Sequence, residues 1–327
     1  MIGRFILKKI GKLMILLVAI SILSFVLVSY SPFNPVRSYI GAEISRISPE
    51  QQKNIEEYWG LNQSKPQQFL KWAKAVSQGN LGKSLIYRKP VGEIISNRFS
   101  ASIVLMGLAW VFSGIIGFLL GALAGMNEGS LLDRIIKNYC FLLASTPAFW
   151  LGLLLLMFFA VWLGWFPIGL ASPAGMLSEE VSLTDKITHL ILPVLTLSIV
   201  GVASIALHTR EKLIQVLNSE FIRFARAKGE RGMTLFWRHG LRNISLPAIS
   251  LHFASFGELF GGAVLTEQVF SYPGLGQAVV KAGLGGDVPL LLGITLFSVV
   301  FIFFGNFMAD LLYVLIDPQM KFKRTYE

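Results

Sequence analysis

The sequence predicts an all-α membrane protein with six transmembrane helices and both termini in the cytoplasm. An extracytoplasmic segment lies between helices 1 and 2, and a two-helix loop faces the cytoplasm. Three observations predict this. Hydrophobic residues make up 54% of the chain and charged residues 15%, with a mean hydropathy of +0.61; an ordinary soluble domain carries about a quarter charged residues. Six apolar runs, at 10–30, 100–126, 137–163, 188–208, 246–268 and 289–316, reach the length that crosses hydrocarbon as a helix, longer than barrel strands. Lys and Arg then set the orientation. With the N-terminus inside, inner segments hold Arg4, Lys8, Lys9 and Lys12, then Arg134 and Lys137, eight residues in 210–245, and Lys321, Lys323 and Arg324. The two short outer loops hold only Lys186 and Lys281. This asymmetry accounts for much of the +10 formal charge, so no nucleic-acid partner is required.

Residues 1–30 form the N-terminal tail and first helix. Basic residues before the apolar Leu13–Ser29 run imitate a signal peptide. The run is long for one, and Ser29-Tyr30-Ser31-Pro32 is not a small-residue cleavage site. The segment reads as an uncleaved helix.

Residues 31–99 form the extracytoplasmic segment. Ser48-Pro49-Glu50 starts a helix over 49–59, and Phe69, Leu70, Trp72 and Ala73 mark another over 66–77. Asn80-Leu81-Gly82-Lys83-Ser84 imitates the end of a phosphate-binding loop, but Ser77 stands where that pattern needs glycine.

Residues 100–327 form the transmembrane core, with the basic loop at 210–245. Its third and sixth spans are long enough to tilt. Cys140 is the only cysteine, so no internal disulfide forms. No internal repeat is visible, which argues against an inverted-repeat secondary transporter.

Within the loop, Ser219–Pro247 holds no membrane-length run. Leu217, Phe221, Phe224 and Ala225 fall on one helical face. Gly229 and Gly232 bracket a turn at Glu230-Arg231. Met233, Phe236, Trp237, Gly240, Leu241 and Ile244 make a second helical stripe, with Arg231, Arg238 and Arg242 off it. A structured basic loop between spans reads either as a docking surface or as a topology anchor.

Ionisable residues within spans face a bundle interior or a cavity. His252, Glu258 and Glu267 lie in the fifth span and Asp310 in the sixth. His252 and Glu258 are candidates for a translocation path, together with Glu267. Glu258 shares a face with Gly262, and Gly257, Gly261 and Gly262 admit a close helix neighbour; packing against a polar partner is the other reading of Glu258. Tyr272, Pro273 and Gly274 form either an outer gate or a tight turn. The four histidines, His189, His208, His239 and His252, lack metal-ligand spacing, and no hydrolase signature appears. An intramembrane enzyme therefore lacks its machinery, and no metal site is assigned.

Together these residues resemble a known family. Glu220, Phe221, Arg223, Phe224, Ala225, Arg226, Ala227 and Gly229, followed by Trp237, Arg238, His239, Leu241, Asn243 and Pro247, look like the coupling loop of ABC importer permeases of the peptide/nickel branch. Gly79–Ser84, Glu267–Gly276, Asp287-x-Pro289 and Asp317-Pro318 fit the same branch. Phe221 and Ile222 depart from the generic Glu-Ala-Ala start, and the gap from Gly229 to Pro247 is long; both suit this branch. The resemblance implies the first of two homologous permeases, with two cytoplasmic ATPase subunits and an external binding protein. It implies no cofactor on this chain, with ATP and Mg held by the ATPase subunits. Gly257-Glu258-Leu259 after His252 looks more like nickel-type members, so nickel or a metal chelate is slightly favoured over a dipeptide or oligopeptide.

Overall fold

The computed structural model describes residues 2–30, 63–173, 175 and 181–316. The expected helix at 49–59 and the Asp317-Pro318 motif lie outside these. Among the described residues the fold is helical, and extended pairing is limited to one bridge between Lys83 and Pro90.

In chain order the helices are α1 (Ile2–Ser29), α2 (Lys65–Ser77), α3 (Val91–Met126), α4 (Leu131–Ala144) and α5 (Ala148–Leu155), which continues through a π-helical segment to Trp162. Next come α6 (Leu183–Leu217), α7 (Glu220–Ala227) and α8 (Met233–Leu235). A π-helical turn at Phe236–Gly240 joins α8 to α9 (Leu241–Ala254), followed by α10 (Phe256–Val269), α11 (Leu275–Gly285) and α12 (Val288–Ile316). Local chemistry explains several starts. Pro66 occupies the first turn of α2, Ser130 Oγ accepts the Asp133 N–H at α4, and Ser182 with Asp185 forms a capping box at α6. The helix expected at 66–77 is α2.

Four helices are long and apolar enough to cross a membrane: α1, α3, α6 and α12. The remaining two expected spans are bent pairs. The third is not one rod, because α4 and α5 meet at 103°. Pro147 has no N–H and disfavours a helical Thr146, so α4 ends there. The Ser145 and Thr146 hydroxyls turn back onto the Phe141 and Leu142 carbonyls. The fifth breaks at Ser255, where α9 and α10 differ by 50°. There the Ser255 hydroxyl donates to the His252 carbonyl at 2.9 Å.

The chain divides into two compact units, residues 1–102 with 273–303 and residues 103–272 with 304–327. In the first, Asp287 is wholly buried. Its Oδ2 accepts Ser84 Oγ at 2.5 Å and Ile86 N at 3.0 Å, and its Oδ1 accepts Leu290 N at the start of α12. The Gly79–Ser84 stretch is thus anchored through Ser84 to a carboxylate, a structural role for the segment that imitates a phosphate loop. Phe69 and Trp72 of α2 pack against Phe25 of α1.

In the second unit α6 is the central helix and touches α4, α5, α9 and α10. Gly117, Gly121 and Gly125 of α3 bring that helix close against Ile205, Ala206, Thr209 and Leu213 of α6, a small-residue seam. Cys140, fully buried, lies in the α4–α6 core with Ile136, Leu143, Ala203 and Ala206. Phe256 of α10 fits against Gly305 of α12.

Candidate functional site

The loop after α6 is a folded element. It begins at Asn218, because α6 runs on through Leu217. Arg210, counted by sequence among the loop charges, therefore belongs to a helix. Two turns of α7 present Ile222 and Ala225 inward, where they pack with Leu235 and Val216. The helix cannot continue past Lys228: Gly229 has φ +92° and Gly232 φ +55°, a region that L side chains resist. The Gly229 and Glu230 N–H groups fold back onto the Arg226 and Ala225 carbonyls, satisfying the helix end. A Cβ at either glycine would meet nothing within 4 Å. Backbone conformation, not crowding, requires them.

Glu230 organises the turn. Its carboxylate accepts Arg238 Nη1 at 3.0 Å and lies 2.9 Å from His239 Nε2. The His239 hydrogen bond, followed by that of Arg238, holds the Glu230 carboxyl below the usual carboxylate range. The His239 ring also meets Phe221 edge-on, and its carbonyl accepts Asn243 Nδ2 at 2.7 Å. Arg238 and His239 stand out in the sequence but Glu230 does not, because its role depends on contacts eight and nine residues away.

The apolar faces split between inward and outward positions. The sequence puts Leu217, Phe221, Phe224 and Ala225 on one apolar face, without saying which of them the permease itself buries. In the structure Ala225 is buried, while Phe221 is 48% and Phe224 64% exposed. Ile222, absent from the expected face, is the buried anchor. Likewise Phe236, Gly240 and Ile244 turn inward, whereas Met233 (55%) and Trp237 (63%) turn out. Inward positions are set by Leu213, which packs with Phe236 and Ile244, and by Val216 under α7. Glu220, Arg223, Arg226, Ala227, Arg238 and Asn243 are all exposed around these aromatics. Lys228 Nζ sits 4.5 Å from the Phe224 ring centre, a favourable cation–π arrangement. The loop's outer side is therefore aromatic and basic, and its inner side is packed.

The candidate path residues separate. His252 is buried and stacked on Trp110, with ring centres 4.3 Å apart. Its Nε2 lies 2.7 Å from the Trp110 carbonyl and so donates to it, while Trp110 Nε1 donates to the His252 carbonyl at 3.1 Å. Gly114 leaves room for this ring, since a Cβ there would approach Nε2 to 2.6 Å. His252 borders an apolar cavity of about 390 Å³ lined by Val111, Ile115, Phe118 and Ile249. Glu258 is exposed on α10, as are Gly261 and Leu265. Gly262, expected to share its face, turns instead toward Leu197. Among the described residues the Glu258 side chain makes no hydrogen bond or ion pair. Glu267 is wholly buried. Tyr272 is also buried, its N–H donating to the Glu267 carbonyl at 2.9 Å. The Pro273 carbonyl accepts Arg98 Nη1, and the Gly274 carbonyl accepts the Ala278 N–H in the first turn of α11. Asp310 is half-buried in α12. Among the described residues no group of three or more His, Cys, Asp or Glu is placed to hold a metal ion.

Comparison with known proteins agrees with this architecture. Residues 117–322 match the family model for the binding-protein-dependent transport system inner membrane component, and residues 1–106 match the N-terminal model of the same system. The chain is 36% identical over 308 residues to the oligopeptide transport system permease protein AppB of Bacillus subtilis, covering 94% of this chain and 96% of that one. It is 33% identical to the di/tripeptide permease protein DppB of Pseudomonas aeruginosa, covering 98% and 99%. It is 32% identical to the dipeptide permease protein DppB of Escherichia coli K12, again covering 98% and 99%. This chain belongs to the multi-pass inner-membrane permeases of binding-protein-dependent ABC importers, in the peptide/nickel family, as a non-catalytic subunit of a transporter whose ATP hydrolysis is the work of partner ATPases.

Proposed function

We propose that this chain is one of two homologous permeases in an importer of dipeptides or oligopeptides. Two ATPase subunits, which hold the ATP and Mg, act from the cytoplasm, and an external binding protein delivers the cargo. Both termini and the Asn218–Gly240 loop face the cytoplasm, residues 31–99 lie outside, and residues 100–327 form the permease core. The carrying observation is the loop's two-sided build. Ile222, Ala225, Leu235 and Phe236 are packed inside, while Phe221, Phe224, Met233 and Trp237 project from a glycine-delimited frame. Such a frame suits a helix seated in a partner's groove. ATPase closure then pushes the loop and drives alternating access of the bundle.

Peptide is the better cargo reading, and the preference for nickel is withdrawn. The relatives reported above are named for peptides. The nickel preference rested on His252 beside Gly257-Glu258-Leu259, yet His252 is engaged with Trp110. Glu258, exposed and acidic on a span helix, is the path residue we favour; a carboxylate there complements a peptide's cationic amino terminus. The test is uptake in a strain lacking this chain. Restoring the chain is expected to restore labelled dipeptide or oligopeptide uptake and leave nickel uptake unchanged. Rescue of nickel uptake alone would overturn the cargo assignment. Glu258→Gln is expected to reduce peptide uptake severalfold at an unchanged amount of complex. Undiminished uptake removes Glu258 from the path.

A further inference from the structure

Buried Asp133 and partly buried Arg210 form a two-pronged ion pair between α4 and α6. Arg210 Nε lies 2.5 Å from Asp133 Oδ1, and Arg210 Nη2 2.7 Å from Oδ2. Their side chains are 2% and 16% exposed for Asp133 and Arg210 respectively. Oδ2 also accepts the Gly129 N–H at 2.9 Å, tying in the turn between α3 and α4. Every oxygen of the carboxylate is therefore engaged, in the planar fork geometry that fixes direction as well as distance.

Buried ion pairs contribute little net stability compared with apolar residues of similar volume. Here the surrounding α4–α6 interface is already apolar, built from Ile136, Cys140 and Leu143 against Ala203 and Ala206. Contacts between small, smooth side chains resist separation but do little to resist axial sliding. A bidentate pair resists both. Its position gives that resistance a use. Leu213, three residues beyond Arg210, packs against Phe236 and Ile244, and Gly240 sits against the same leucine. One end of α6 thus grips the loop while its neighbouring turn grips α4. Through its 103° bend α4 leads to α5, which packs against α10, the helix that carries Glu258.

We infer that Asp133 and Arg210 are positioning residues for coupling: the pair locks α4 to α6 so that displacement of the Asn218–Gly240 loop carries the bent α4–α5 pair with it. This rests on the proposed function of the loop. The pair does not touch cargo and does not need to titrate.

The experiment uses the complete reconstituted importer and reads peptide imported per ATP hydrolysed, beside the amount of complex assembled. Asp133→Asn and Arg210→Lys keep shape but break the fork. Both are expected to assemble at the parental amount and to lower the ratio by about 5-fold or more, the usual lower range of coupling between sites. The double variant Asp133→Leu with Arg210→Met refills the volume without the directional link, and is expected to assemble and remain uncoupled. A parental ratio in any assembled variant overturns the inference. So does failure of all three to assemble, which would make the pair a folding requirement. A parental complex without ATP-driven peptide uptake would overturn the functional reading as well, and is thereby distinguishable from failure of the lock alone.

Discussion

Phe224→Asp combined with Trp237→Ala is expected to release the ATPase subunits from the complex while leaving the chain in the membrane. Both side chains are mostly exposed, 64% and 63%, so their loss removes little packing from the permease itself. The buried anchors Ile222, Ala225, Leu235 and Phe236 are untouched, and the Gly229–Gly232 turn keeps its Glu230 bonds. In a partner's groove the same two aromatics become desolvated centres, and such residues carry about 2–4 kcal/mol each, roughly 30- to 1000-fold in affinity. The aspartate adds an unpaired charge to that groove. The check is co-purification of ATPase subunits with the tagged chain, together with its amount in the membrane fraction. Parental recovery of ATPase from the double variant would remove these side chains from the docking surface. Loss of the chain from the membrane would instead show that they serve its folding.

Gly121→Val is expected to prevent accumulation of the folded chain. A Cβ at Gly121 would stand 2.4 Å from the Ala206 carbonyl oxygen and 2.7 Å from Thr209 Cβ. The first obstacle is helix backbone, which cannot rotate aside as a side chain does. Valine also adds two methyl groups beyond Cβ, so α3 and α6 must separate along the Gly117–Gly125 seam. Overpacking of a core typically costs about 1–3 kcal/mol, and a backbone clash at a helix crossing lies at or above the top of that range. Gly107→Val, in the same helix with nothing within 4 Å of its Cβ, is the matched control and is expected to accumulate normally. Immunoblotting of the membrane fraction separates the two. Equal amounts of both variants would mean that the seam is not the close approach described here.

The broad class of the protein was legible because it depends on local, additive properties. Apolar length, Lys and Arg placement and the glycines at Gly229 and Gly232 act through the residues themselves. Hence the apolar helices and the bracketed turn are recoverable from the chain read in order, whereas the expected second loop helix is only Met233–Leu235 and runs through a π-helical turn into α9. The Thr146-Pro147 break has a local signal in the proline, but Pro193 and Pro247 lie inside α6 and α9 without ending them, so packing decides which proline breaks a helix.

Other features depend on partners distant in sequence. Arg210 counts as one more cytoplasmic charge until α4 places Asp133 against it, 77 positions away. Ser84 belongs to a misleading motif until Asp287 arrives from the other end of its unit, 203 positions on. In α7, periodicity allowed several inward faces, because two turns of helix present apolar groups nearly all round. Val216 and Leu235 select Ile222 and Ala225, and so turn Phe221 and Phe224 outward. A helical membrane protein with a structured basic loop between its spans can be read directly from the order of residues. Which side of that loop is left open, and that Asp133 meets Arg210 between α4 and α6, depend on the packed fold, because facing and pairing are set by non-local contacts rather than by the order of residues along a helix.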